Sequence, residues 1–98
     1  MATSVIIPMS EHVKAGSIGD TESRTFYFPT NACLFALFRT NRTNSCTIYF
    51  IDYWGNASEI KYVGNAKPSG ITITKSTNSN EFTVANAQGY AFAYIQIF

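Results

Sequence analysis

Asp52 and Glu59 lie either side of Gly55-Asn56, two residues that tolerate the positive φ of a tight hairpin loop. A two-residue loop there would set the carboxylates directly opposite one another across the hairpin. Facing carboxylates can hold a cation, or can act as the acid and base of glycoside hydrolysis. Lys61, two residues beyond Glu59, favours instead a neutralised polar patch, and no Asp-rich calcium loop accompanies the pair. His12 is the only histidine, and no serine sits in a nucleophile-elbow glycine pattern that it could serve. With Cys33 and Cys46 it also lacks the close ligand pairs of a zinc site. The expectation is a protein that is not an enzyme, with no catalytic residue, metal or cofactor.

The aromatic pair Tyr53-Trp54 just before the same loop suggests binding. Neighbours in a strand point to opposite faces, so one ring at a hairpin tip can remain open to solvent. Trp54 is the only tryptophan, and with a nearby Asn and Asp it could stack on a sugar ring. Arg39 and Arg42 flank a second short loop. The candidate ligand contacts are therefore Tyr53, Trp54 and Asn56, with Arg39 and Arg42, on loops Thr40–Ser45 and Trp54–Ser58.

These residues need a scaffold, and 98 residues suffice for one domain. Runs of β-branched and aromatic residues bounded by Gly, Asn, Ser and Pro recur about every ten residues, the pattern of a sandwich or barrel. Strands are expected near Ser4–Met9, His12–Ile18, Arg24–Pro29, Cys33–Thr40, Cys46–Trp54, Ser58–Val63, Ile71–Ser76, Glu81–Ala85 and Tyr90–Ile97. The fold class is all-β, an antiparallel, jelly-roll-like β-sandwich of about nine short strands with no substantial helix. If Cys33–Thr40 and Cys46–Trp54 pair as a hairpin, Cys33 stands near Tyr53, about seven positions and more than 20 Å from Cys46. Two free thiols follow, consistent with a reducing cytoplasm.

Asn86-Ala87-Gln88-Gly89 carries a type I turn signature, so the last three strands read as an antiparallel meander. In that arrangement Ala91, Ala93, Ile95 and Ile97 join Ile71, Ile73, Phe82 and Val84 in the core. Tyr90, Phe92, Tyr94 and Phe98 then form a surplus aromatic stripe, expected to be buried between subunits. Apolar residues make up 46% of the chain and charged ones only 13%, so apolar surface is left for a partner to cover.

The seven basic residues are scattered and the net charge is +1, which argues against nucleic acid. No apolar run reaches the roughly 18 residues of a membrane-spanning helix, and the start lacks the basic region of a signal peptide. Neither membrane insertion nor Sec export is expected.

The segment PSGITITKSTNSNEFTVANAQGYAFAYIQIF resembles the closing segments of bacteriophage tail-fibre and receptor-binding proteins. Such tips place a Thr-rich strand, a polar turn, an "FTVAN"-like strand and a short apolar strand in this order. The likeness spans about the last thirty residues and carries no ligand motif. It implies a virion protein of the phage tail, made in the host cytoplasm. It further implies a homo-oligomer, with a trimer favoured, that binds a host cell-surface glycan or protein through its loops. The alternative is a structural decoration or tail-assembly protein whose aromatic face contacts another virion protein.

Overall fold

The computed structural model describes residues 11–39, 45–64 and 68–98. Eight antiparallel strands pack as two sheets of a sandwich, and no helix occurs among the described residues. They are β1 (Val13–Ile18), β2 (Ser23–Tyr27), β3 (Ala32–Arg39), β4 (Cys46–Asp52), β5 (Ala57–Val63), β6 (Ile71–Lys75), β7 (Glu81–Asn86) and β8 (Phe92–Ile97). One sheet runs β1-β8-β3-β4-β5 and the other β2-β7-β6. Strand β1 pairs with β8 and β2 with β7, two nested long-range pairings, while β3, β4 and β5 are sequential neighbours. The strand expected at Ser4–Met9 lies outside the described residues.

The core is largely aromatic. Phe26, Phe28, Phe82 and Val84 from the smaller layer meet Ile18, Phe35, Leu37, Ile51 and Phe92 from the larger one. Phe26 and Phe82 stack at 5.2 Å, and Phe35 stands edge-on to both, at 4.9 and 5.1 Å. Edge-to-face geometry suits the ring quadrupoles and fills the space between the sheets. Gln96, fully buried, ties the layers together through Nε2, which donates to the Tyr27 carbonyl at 2.9 Å.

The last three strands do not form the expected meander. Strands β6 and β7 pair across the 77–80 turn, but β8 crosses to the other layer and lies between β1 and β3. Asn86 organises this crossing. Its Nδ2 donates to the carbonyls of Gly19 and Tyr90, at 3.1 and 2.8 Å, and its Oδ1 accepts from Gln88 N at 3.0 Å. Gly89, with φ +97°, completes the turn and donates to Asp20 Oδ1.

Changing layers reverses the assignment of the two β8 faces. Phe92 is buried, Tyr94 packs 4.8 Å from Phe26 and 5.7 Å from Phe35, and Tyr90 and Phe98 lie against the same core. The stripe expected between subunits is therefore covered by the chain's own second sheet. The physical reason is area: a ring buries about 150–250 Å², far more than the alanines of the opposite face. Ala93, Ile95 and Ile97 point outward instead.

The two outer faces differ sharply. On the smaller sheet Thr25, Thr72, Thr74 and Thr83 face solvent, with Thr25 and Thr83 hydroxyls 3.0 Å apart. On the larger sheet Leu34 pairs with Ile97 and Phe50, Ala36 with Ile95 and Ile48, and Phe38 with Ala93 and Cys46. That face is apolar and no described element covers it.

Cys33 faces Ile51 and Cys46 faces Phe38, and both thiols are free. The hairpin register differs by two from the one expected, since Cys33 pairs with Ile51 rather than with a residue near Tyr53. Burial pushes the Cys33 thiol up to about 11 and also raises Cys46. The thiolate is the reactive form, so a thiol reagent at about pH 8 should label Cys46 slowly and Cys33 only on unfolding. Fast labelling of both sites in the folded protein, followed by mass spectrometry, would contradict this packing.

Candidate functional site: the β4–β5 hairpin tip

Asp52 does not face Glu59. It closes a three-residue loop, Tyr53-Trp54-Gly55, with its backbone N–H on the Asn56 carbonyl at 3.0 Å. Glu59 instead pairs with Tyr49, and a bulge shifts the register so that the next pair is Ile48 with Lys61. The facing carboxylates are thereby removed, and Lys61 does not share their patch.

The Asp52 carboxylate works as a backbone anchor. Oδ1 accepts from Trp54 N at 3.0 Å and from Asn56 N at 2.9 Å, while Oδ2 accepts from Asn56 Nδ2 at 2.7 Å. The Asn56 side chain and backbone N–H, helped by Trp54 N and the charge of Lys75, hold this carboxyl below its usual range. Gly55 supplies the positive φ, +102°, that ends such a loop. Added to Gly55, a Cβ would sit 2.9 Å from Thr77 Oγ1, so the tip and the β6–β7 turn approach closely there.

The tip is also held from outside. Tyr53 N donates to the Asn31 carbonyl at 2.8 Å, and Ser79 N and Lys75 Nζ donate to the Tyr53 carbonyl at 3.3 and 3.4 Å. Asn80 Nδ2 donates to the Thr30 carbonyl, joining the 28–32 and 76–80 loops into one platform. On this platform Trp54 stays 58% exposed, its ring edge-on to Tyr53 at 5.8 Å. A large apolar ring on a pinned backbone loses little conformational freedom on binding.

The structure brings Tyr53, Trp54 and Asn56 together but places Arg39 elsewhere. Asp52 pairs with Ala32 at one end of β3, and Arg39 is at the other, roughly 23 Å away at strand spacing. There its guanidinium lies 3.7 Å over the Tyr90 ring, a stacked cation–π contact that uses it in packing. Arg42 and most of the Thr40–Ser45 loop lie outside the described residues. Asn31, Lys75, Thr77 and Ser79 are the supports that sequence reasoning missed. Long-range loop docking leaves no local pattern, whereas the Asp52-x-x-Gly55-Asn56 spacing was a readable signal for an Asp-closed loop.

Among the described residues no group of three or more His, Cys, Asp or Glu side chains could hold a metal ion. His12 is spent at the sheet edge, where its Nδ1 lies 3.1 Å from the Phe98 carbonyl and its own carbonyl accepts from Phe98 N. No protein-family model matches the chain, and no curated protein or solved structure matches it either. The fold and site define an all-β sandwich that carries the exposed Trp54 ring on a hairpin tip pinned by backbone hydrogen bonds.

Proposed function

We propose that this protein is a non-enzymatic binding module of a phage virion, a tail-fibre-tip-like domain that contacts a host-surface glycan through the β4–β5 tip. The reading rests on the exposed Trp54 ring, whose flanking backbone is fixed by Asp52, Asn31 and Ser79. The ring face supplies a stacking surface for a sugar, and Tyr53 and Asn56 flank it. Host surfaces repeat their glycans, so several copies acting together would raise avidity by about 10²–10⁴ over one weak site.

Glycan-array binding by the isolated protein tests this. Trp54→Ala is expected to abolish the signal while leaving the thermal transition unchanged. The same ligand should shift the intrinsic emission, which comes from a single tryptophan. Binding that survives Trp54→Ala, or none at high protein concentration, would sink the glycan reading. The second reading, a decoration or tail-assembly protein docking through its aromatic face, loses that surface, because Phe92 is buried and Tyr94 packs against Phe26 and Phe35.

A further inference from the structure

We infer that the outer face of the five-stranded sheet is a self-association surface that pairs two copies of this chain about a two-fold axis. Three rows of paired residues cross the sheet there. The outer two are led by Ile97-Leu34-Phe50 and Ala93-Phe38-Cys46, and the central row is Ala15-Ile95-Ala36-Ile48-Lys61. Leu34 and Phe50 are each 39% exposed and Ile97 46%, although each sits between apolar cross-strand or diagonal neighbours. Monomers rarely leave a contiguous apolar patch of this kind uncovered, and the Thr-rich outer face of the other sheet shows what a solvated face of this chain looks like.

Area and charge both select a second copy as the occupant. Five strands about 4.8 Å apart and three rows about 6.6 Å apart give a face of roughly 500 Å² in projection. Two such faces hide on the order of 1,000 Å², the lower bound for a specific interface and the size of a weak, reversible dimer contact. An isologous contact sets a patch against itself, so it must not bring like charges together. Lys61, on edge strand β5, is the one charged residue in these three rows among the described residues.

That single charge also fixes the orientation. A two-fold axis across the strands would lay Lys61 on Lys61. An axis along central β3 lays β5 of each copy over β1 of the other, so the two lysines emerge on opposite rims. Small Ala36 then lies at the centre with Leu34, Phe38, Ile48 and Ile95 around it, and sheets so stacked pack about 10 Å apart. Because the axis runs along the strands, both Trp54 tips point the same way. The pairing stands on the sheet face alone and does not depend on what Trp54 contacts.

Sedimentation equilibrium of the full chain across the micromolar range tests the pairing. The expected result is a reversible dimer at twice the chain mass. Ile95→Asp, at the centre of the face, should weaken association on the order of 100-fold, since it buries an unpaired charge. Lys61→Glu, on the rim, should change it little. Trp54→Ala should leave the dimer intact, which separates failure of this inference from failure of the glycan reading. A concentration-independent monomer overturns the inference, and so does a trimer. So does a dimer that survives Ile95→Asp with a native circular dichroism spectrum; if Ile95→Asp does not fold, Leu34→Ser replaces it and is read in the same way.

Discussion

Phe35→Ala is expected to lower the melting midpoint of the protein by more than about 12 °C. Phe35 is fully buried on central β3 and touches rings from both layers: Phe26, Phe82 and Tyr94. Truncation removes the ring's transfer energy and leaves a cavity that two hydrogen-bonded sheets cannot close. Such changes cost about 3–5 kcal/mol. The whole stability of a domain is about 5–15 kcal/mol, and a domain near 100 residues loses about 4–8 °C per kcal/mol. The melting midpoint should therefore fall by more than about 12 °C by circular dichroism. A drop of only a few degrees would mean that the layers do not meet where Phe35 stands.

Phe92→Ala belongs to the same group and sharpens the contrast between the two faces of β8. Phe92 is buried in the chain's own core, so its loss should lower stability whatever the oligomeric state. Ile95→Asp, on the opposite face of the same strand, should remove association and leave the fold. One strand thus carries two stripes with separable phenotypes. The reverse pattern, association lost through Phe92 and stability through Ile95, would restore the meander arrangement of the last three strands.

What was legible in the sequence follows from range. Strand positions were readable because β-branched and aromatic runs and Asn/Gly turns are local: β3, β4, β6 and β7 all begin or end within two residues of their expected bounds. The layer that β8 joins was not readable from its neighbours. Asn86-Ala87-Gln88-Gly89 is an equally good turn for a hairpin or for a crossing, and contacts to Gly19 and Asp20, far back in the chain, decide between them. Both apolar stripes of β8 were visible, but which one faces inward is a tertiary outcome, set by the greater area of the rings. At the tip, Trp54 and Tyr53 stood out by type. The loop length did not, because Gly55-Asn56 suits a two-residue loop until the Asp52 carboxylate captures Trp54 N and Asn56 N. That capture separated Asp52 from Glu59, whereas the bulge in β5 lies beyond Glu59 and shifts only Lys61 and the residues after it.

Asp52→Ala is expected to disconnect the tip without removing any residue that would touch a ligand. Three donors, Trp54 N, Asn56 N and Asn56 Nδ2, lose their acceptor together. Leaving donors unsatisfied costs more than the bonds themselves contribute. Amide exchange at Trp54 and Asn56 should accelerate, and ligand binding should fall with Trp54 still present. Asp52→Asn keeps one oxygen for the two backbone donors and should be intermediate. The carboxylate's low pKa gives the same contact a pH signature. Because folding favours the charged form, its stabilisation is complete above the free-carboxyl value of 3.8 and is lost as pH falls through the lower folded value. Glu22, lowered by the Gly19 N–H and by Arg24, acts in the same direction at the opposite end of the sandwich. Melting midpoints measured from about pH 6 down to pH 2 should therefore fall less steeply in Asp52→Asn than in the wild type, with the Glu22 share of the slope remaining. Parallel curves would show that Asp52 does not bear the tip, and Trp54 would then owe its position to Tyr53 and the β6–β7 turn alone.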